Sequence, residues 1–171
     1  MKLDHYPITK INKNIMKLEL CNDPYSNGPI HFYEIKHYWL SNFSSFGIWY
    51  LGNYYQTVEH AYQADKFRNN RPLIWASIKD SPSAHEAMKF AHANKDKYDS
   101  EWESRKLNLM KYLVRLKHDQ HAYIQDKLII TGNRELIEAS PIDSYWGWGP
   151  NKDGENHLGK IWMDIRSSIL K

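Results

Sequence analysis

From Thr57 to the C-terminus the apolar residues recur at helical spacing in one segment after another, whereas the stretch just before it alternates at the two-residue period of strands. That change of period limits the chain to an α+β fold, mostly helical, with a small β-sheet in its N-terminal third. Thr57 is a plausible N-cap for a helix whose apolar side carries Val58, Ala61, Tyr62 and Phe67. Further helices are expected over Arg71–Lys79 and over Pro82–Asn94, where Ser81 is a possible cap and Ser83 with Glu86 has capping-box spacing. Ser100 opens a longer helix through Trp102, Leu109, Leu113 and Leu116, and Gln120–Ile130 forms another that Gly132 can terminate. A short extended piece at Leu136–Glu138 and a Gly-rich loop lead into a last helix over Asn156–Leu170. Upstream, Ile30–Tyr33 reads as a strand and Phe46–Tyr55 as a hairpin turning at Leu51-Gly52-Asn53. Residues 1–29 are dense in turn formers from Asn22 to Pro29 and read as an N-terminal extension with one strand at Ile15–Leu20. Residues 30–171 are then a single domain.

Composition narrows the function classes. Cys21 is the only cysteine, so there is no internal disulfide and no thiolate cluster for a metal. Nine histidines are present, but His118 with His121 and His85 with His92 lack a third ligand at metal spacing, so no metal site is expected. No apolar run reaches the ~18–20 residues that span a bilayer, and the first residues lack a secretory signal, so a cytoplasmic location is expected. Lys and Arg number 23 against 20 Asp and Glu, a surplus too small for a protein that lives by neutralising phosphates. Arg105, Lys106, Lys111, Arg115 and Lys117 read as a solvated helix face. Neither a P-loop nor a dinucleotide-binding glycine signature occurs. With 7 Trp and 12 Tyr, the chain has more rings than a small core absorbs, and some of them can line a site for a flat ligand.

Two constellations can carry chemistry. Glu59, Gln63 and Lys66 stand at i, i+4 and i+7, so an acid, an amide and an amine share one helix face. On spacing alone a solvated polar stripe with a helix-stabilising Glu–Lys relation is the favoured reading. Ser140 to Gly149, followed by Gly154, Asn156 and Gly159, combines close-approach glycines with Trp146 and Trp148 ahead of a helix N-terminus, which suits a phosphate-bearing nucleotide. The alternative is a compact loop whose tryptophans plug the core.

Taken in order, Tyr38-Trp39-Leu40-Ser41-Asn42-Phe43, Thr57-Val58-Glu59-His60-Ala61-Tyr62-Gln63-Ala64-Asp65-Lys66-Phe67, Ser81-Pro82 with Ala84, Trp102, and the segment from Leu136 to Arg166 resemble the NADAR family. The resemblance spans about residues 30–170. It implies a cofactor-free N-glycosidase that hydrolyses the bond between ribose C1 and an exocyclic amine. Some members act on ribosylaminopyrimidine phosphates of riboflavin synthesis, and others remove ADP-ribose from guanine in nucleic acid. The family's catalytic Glu corresponds to Glu59, its Trp to Trp102, and its loop to Asp143, Tyr145, Trp146 and Gly147. The candidate catalytic residues are therefore Glu59, Lys66 and Asp143. The candidate substrate contacts are Asn42, Phe43, Gln63, Ser81, Trp102, Tyr145, Trp146, Gly147, Gly149, Asn156 and Gly159. No metal or cofactor is implied. The extension and Trp148 depart from the family pattern and leave the choice of glycosylamine open. Two other readings remain: a module that binds ADP-ribose without cleaving it, and a nucleic-acid adaptor, which the modest charge disfavours. For the enzyme, Glu59 and Asp143 can divide acid and base work, or Lys66 can form a Schiff base with the opened sugar.

Overall fold

The computed structural model describes residues 28–69 and 71–169. The expected extension up to Asn27, with its strand at Ile15–Leu20, lies outside the described residues. In chain order the elements are β1 (Ile30–Phe32), β2 (Ile48–Tyr50), β3 (Asn53–Tyr55), α1 (Val58–Asp65), α2 (Pro72–Lys79), α3 (Ala84–Ala93), α4 (Trp102–Gln120), α5 (Ala122–Ile130), β4 (Leu136–Glu138) and α6 (His157–Ile169). The architecture is α+β and helix-dominated, as the periodicity requires.

The hairpin of β2 and β3 turns at Leu51 and Gly52, whose φ values of 47° and 75° are the left-handed pair that a two-residue turn needs. The second sheet joins β1 to β4 in parallel, with Ile30 opposite Leu136 and Phe32 opposite Glu138. It brings the start and the last third of the domain side by side. Helix caps correct two expectations. Ser83, not Ser81, caps α3 by accepting from Glu86 N–H at 3.2 Å. The long helix starts at Trp102 with no side-chain cap, so Ser100 does not open it.

Helix α1 sits at the centre. Thr57 is extended and its hydroxyl accepts from His60 N–H at 3.2 Å, which fixes where the helix begins. All eight residues of α1 are buried, so its polar side chains need partners. Asp65 accepts from the Tyr50 hydroxyl at 2.7 Å and pairs with Arg105, which also reaches Asp99 at 3.0 Å. His60 Nε2 lies 3.1 Å from the Ser81 carbonyl oxygen, which can only accept, so Nε2 carries the proton and Nδ1 accepts from Thr57 at 2.8 Å. Burial holds the His60 imidazole below its ordinary pKa.

The basic face expected on α4 is only partly solvated. Lys117 is fully buried, donating to the Ser41 carbonyl at 2.8 Å and the Ser44 hydroxyl at 2.7 Å. Burial pushes its pKa well below the lysine range. This lysine braces the turn that presents Asn42 and Phe43. Trp162 on α6 is also fully buried, and its indole donates to the Leu40 carbonyl at 2.9 Å from the other side. No described helix is long and apolar enough to cross a membrane.

Candidate active site

The polar stripe on α1 is not solvated. Glu59, Gln63 and Lys66 are 6%, 3% and 4% exposed, values that a solvent-facing helix side does not have. Gln63 Nε2 donates to Glu59 Oε1 at 2.7 Å, the contact that i, i+4 spacing makes possible. Lys66 follows at the helix end. Its Nζ donates to the Tyr98 hydroxyl at 3.3 Å and stands 4.6–5.2 Å from the ring centres of Tyr98, Tyr62 and Trp102.

Burial acts on this acid and amine in opposite directions, favouring the neutral form of each. It raises the Glu59 pKa above the usual carboxyl range, although Gln63 and Lys66 pull it back. It lowers Lys66 to about 8, against the opposing charges of Glu59 and Glu103. A carboxyl held above its ordinary pKa range thus shares a helix face with an amine held below its own.

The distant loop closes the same space. Asp143 Oδ1 accepts the backbone N–H groups of Tyr145 at 2.9 Å and Trp146 at 2.8 Å, a side-chain turn that sets the carboxyl and the indole together. The Trp146 ring meets Tyr62 edge-on, 5.6 Å between centres at 89°. A partly enclosed chamber of about 170 Å³ is lined by Asn42, Phe43, Glu59, Gln63, Lys66, Asp143 and Trp146, together with Tyr62, Met88, His92, Met110 and Glu138. A more open vestibule of about 390 Å³ shares Tyr62, Lys66, His92, Asp143 and Trp146 and adds Trp102, Tyr145, Lys95, Tyr98, Glu103 and Lys106. Of the candidates named from sequence, nine meet around these two cavities.

Five others lie outside the two linings and pack around them. The Ser81 hydroxyl donates to the Ser77 carbonyl at 2.9 Å, and its own carbonyl holds His60. A Cβ on Gly147 would stand 2.6 Å from the Glu138 carbonyl oxygen, so this glycine lets the loop lie against β4. Gly149 takes φ 67° beside Ser144, and Gly159 brings α6 onto the Leu136 carbonyl. Asn156 bridges loop and strand: Oδ1 accepts from Glu138 N–H at 3.0 Å, and Nδ2 donates to the Leu136 carbonyl at 2.9 Å.

An anion site at the start of α6 is not present. The N–H groups there are taken within the loop: Asn156 donates to Gly147 at 3.0 Å, His157 to Tyr145 at 3.2 Å and Leu158 to Trp146 at 3.0 Å. Trp148 turns away and packs on His31, 4.8 Å between centres.

Glu138 was missed. In sequence it is one acid at the end of a short strand. In the fold its Oε2 is shielded from solvent without a hydrogen-bond partner. Burial, and then the charges of Asp143 and Glu59, raise its pKa to about 8. The only prior signal was an acid closing an apolar triplet just ahead of the Asp143 loop. Tyr62, assigned to another side of the helix, stands i+3 from Glu59 and i−4 from Lys66 and shares their wall.

Known proteins resemble this chain in sequence and in fold. N-glycosidase Npun_R5314 of Nostoc punctiforme is 38% identical over 147 residues, covering 82% of this chain and 92% of the relative. The riboflavin biosynthesis protein VVA0006 of Vibrio vulnificus is 31% identical over 161 residues, covering 91% of this chain and 43% of that longer protein. The solved NMR structure of the Escherichia coli protein YbiA superposes with a TM-score of 0.74 at 30% identity, covering 84% of this chain and 85% of that one. The NADAR domain model matches residues 31–170, nearly everything from β1 to the end of α6, and the chain belongs to the NADAR domain family.

Proposed function

We propose that this protein is an N-glycosidase that hydrolyses the bond between ribose C1 and an exocyclic amine, and that its substrate is a ribosylaminopyrimidine phosphate. One observation carries the reading: a buried carboxyl and a buried amine with lowered pKa, Glu59 and Lys66, share one chamber with Asp143 from the far end of the chain. A glycosylamine needs such a pair, because its leaving nitrogen must gain a proton while C1 meets a nucleophile. The names of the relatives point the same way, two kinds of them being called N-glycosidase and riboflavin biosynthesis protein.

In the mechanism we propose, Glu59 gives its proton to the ring oxygen and the glycosylamine opens to an iminium at C1. Neutral Lys66 adds to C1, its excess proton passes to the departing amine, and a Schiff base between Lys66 and the sugar remains. Water activated by the Glu59 carboxylate adds to that imine, releasing the sugar aldehyde and the free lysine. Asp143, held by two backbone N–H groups, orients the leaving amine. Trp102 and Tyr145 in the vestibule flank the base, and Lys95 and Lys106 are the cations there that can meet the phosphate carried by the sugar.

The test is base release from ribosylaminopyrimidine phosphate and from an ADP-ribosylated guanine oligonucleotide, side by side. Faster release from the oligonucleotide transfers the reading to nucleic-acid de-ADP-ribosylation, and tight binding without release from either makes the protein a recognition module. Borohydride added during turnover captures a sugar on Lys66. With turnover but no adduct, direct hydrolysis by Glu59 and Asp143 replaces the covalent route.

A further inference from the structure

Hydrogen-bond capacity inside the chamber is lopsided. Five side-chain polar atoms among the described residues are buried without a partner, and three are oxygens of chamber-lining residues: Asn42 Oδ1, Gln63 Oε1 and Glu138 Oε2. Such atoms usually find a partner, because each one left dry costs ~1–3 kcal/mol. The protein itself fixes how the two amides face. Asn42 Nδ2 is committed to Met110 Sδ at 3.3 Å, and Gln63 Nε2 to Glu59 Oε1 at 2.7 Å, so in both it is the oxygen that is left over. Three such oxygens on residues lining one chamber call for a guest that brings O–H or N–H groups with it.

The rest of the lining restricts that guest. Phe43, Met88 and Met110 give the chamber an apolar side, and about 170 Å³ admits a pentose but leaves little room for a purine beside it. A pentose has C–H groups on its ring and hydroxyls at its edge. Glu138 completes the match: with its proton held by burial and by the neighbouring acidic groups of Asp143 and Glu59, it can both donate and accept, as a hydroxyl requires. Gln63 is bonded to Glu59, so with C1 at Glu59 and Lys66 the nearest hydroxyl is the one on the adjacent carbon.

We infer that Asn42, Gln63 and Glu138 form a hydroxyl-binding cradle for the sugar, so that the enzyme selects ribosylamines over their 2-deoxyribosyl counterparts. This rests on the N-glycosidase reading. The cradle is a specificity device of the inner chamber, separate from the vestibule that receives the base. A site built to bond a hydroxyl rejects the analogue that lacks it far more strongly than a close fit alone does, because its own polar groups are then stranded. The intrinsic reactivity runs the other way. Removing the electron-withdrawing 2-hydroxyl eases charge build-up at C1, so slower enzymatic cleavage reports the lost contact.

The experiment compares kcat/KM for a ribosylamine and its 2-deoxyribosyl analogue on the same base, each corrected for its uncatalysed rate. The expected ratio is about 10²-fold or more in favour of ribose. A ratio below about tenfold overturns the cradle while leaving the glycosidase standing. If neither is cleaved, the glycosidase reading itself fails and takes this one with it. Asn42→Ala supplies the second readout. It should slow the ribosyl substrate far more than the deoxyribosyl one, narrowing the ratio, whereas an equal fall in both would overturn the part of Asn42 in the cradle.

Discussion

Replacing Asn156 with glycine separates a residue that binds substrate from one that builds the wall behind it. Asn156 holds φ 51°, a left-handed conformation that glycine accepts without strain, so Asn156→Gly removes only the side chain. Two bonds go with it: one from Glu138 N–H at 3.0 Å and one to the Leu136 carbonyl at 2.9 Å. Leu136 is wholly buried, so water does not simply replace the lost donor. Two such bonds, at ~0.5–1.5 kcal/mol each and more where a group is stranded, give a loss of about 2–4 kcal/mol. In a domain of this size that is roughly 5–15 °C in Tm. The assay is thermal and urea unfolding alongside steady-state kinetics. Asn156→Ala should be worse by a further ~1 kcal/mol, because a Cβ is strained in the left-handed region. An Asn156→Gly variant with wild-type Tm and urea midpoint but a raised KM would refute the reasoning and return Asn156 to the substrate.

Three further outcomes follow from the same geometry. Glu59→Gln should keep its fold and lose ~10²–10⁴-fold in kcat, and near-wild-type turnover of base release would remove Glu59 from the mechanism. Because Lys66, lowered to about 8, acts as the neutral amine while Glu59 acts as the acid, kcat/KM should climb through neutral pH as Lys66 loses its proton and fall again where Glu59 loses its own, and a flat profile from pH 6 to 9 would contradict the nucleophile. Glu138 binds its proton more tightly folded than unfolded, so it favours the folded state fully below the ordinary carboxyl range and that contribution disappears as pH rises through about 8. Glu138→Gln should therefore raise Tm relative to wild type more at pH 8.5 than at pH 5, and an equal shift at both would show that Glu138 carries its charge throughout.

The helices and the hairpin were legible because each rests on local signals: Thr57 as a cap, the Leu51-Gly52 turn, and Gly132 after α5 with φ 57°. Glu59, Gln63 and Lys66 were legible as one face for the same reason, but spacing alone gave no sign that the face is buried. That depends on packing by residues far along the chain. Lys117 is the clearest failure of local reasoning. Its neighbours on α4 make it look solvated, and only the turn at Ser41–Ser44, distant in sequence, supplies its acceptors. Asn156 and Gly159 stood out as part of the glycine-rich loop ahead of the last helix, and in the fold both lie against β4. Glu138 escaped because its strand partner, β1, lies at the opposite end of the domain, and parallel pairing leaves no turn to announce it.

That same pairing of Ile30–Phe32 with Leu136–Glu138 dictates when the chemistry can switch on during synthesis. At about 5–20 residues per second, several seconds separate the emergence of α1 from that of β4 and its loop. Until the late segment docks, Glu138 and Asp143 are absent and the chamber stands open on one side, so a nascent chain holds Glu59 and Lys66 without the wall that encloses them. Docking withdraws Glu138 from water and alters its proton affinity, so a pulse of proton uptake should mark the moment at which the ribosome's product becomes an enzyme.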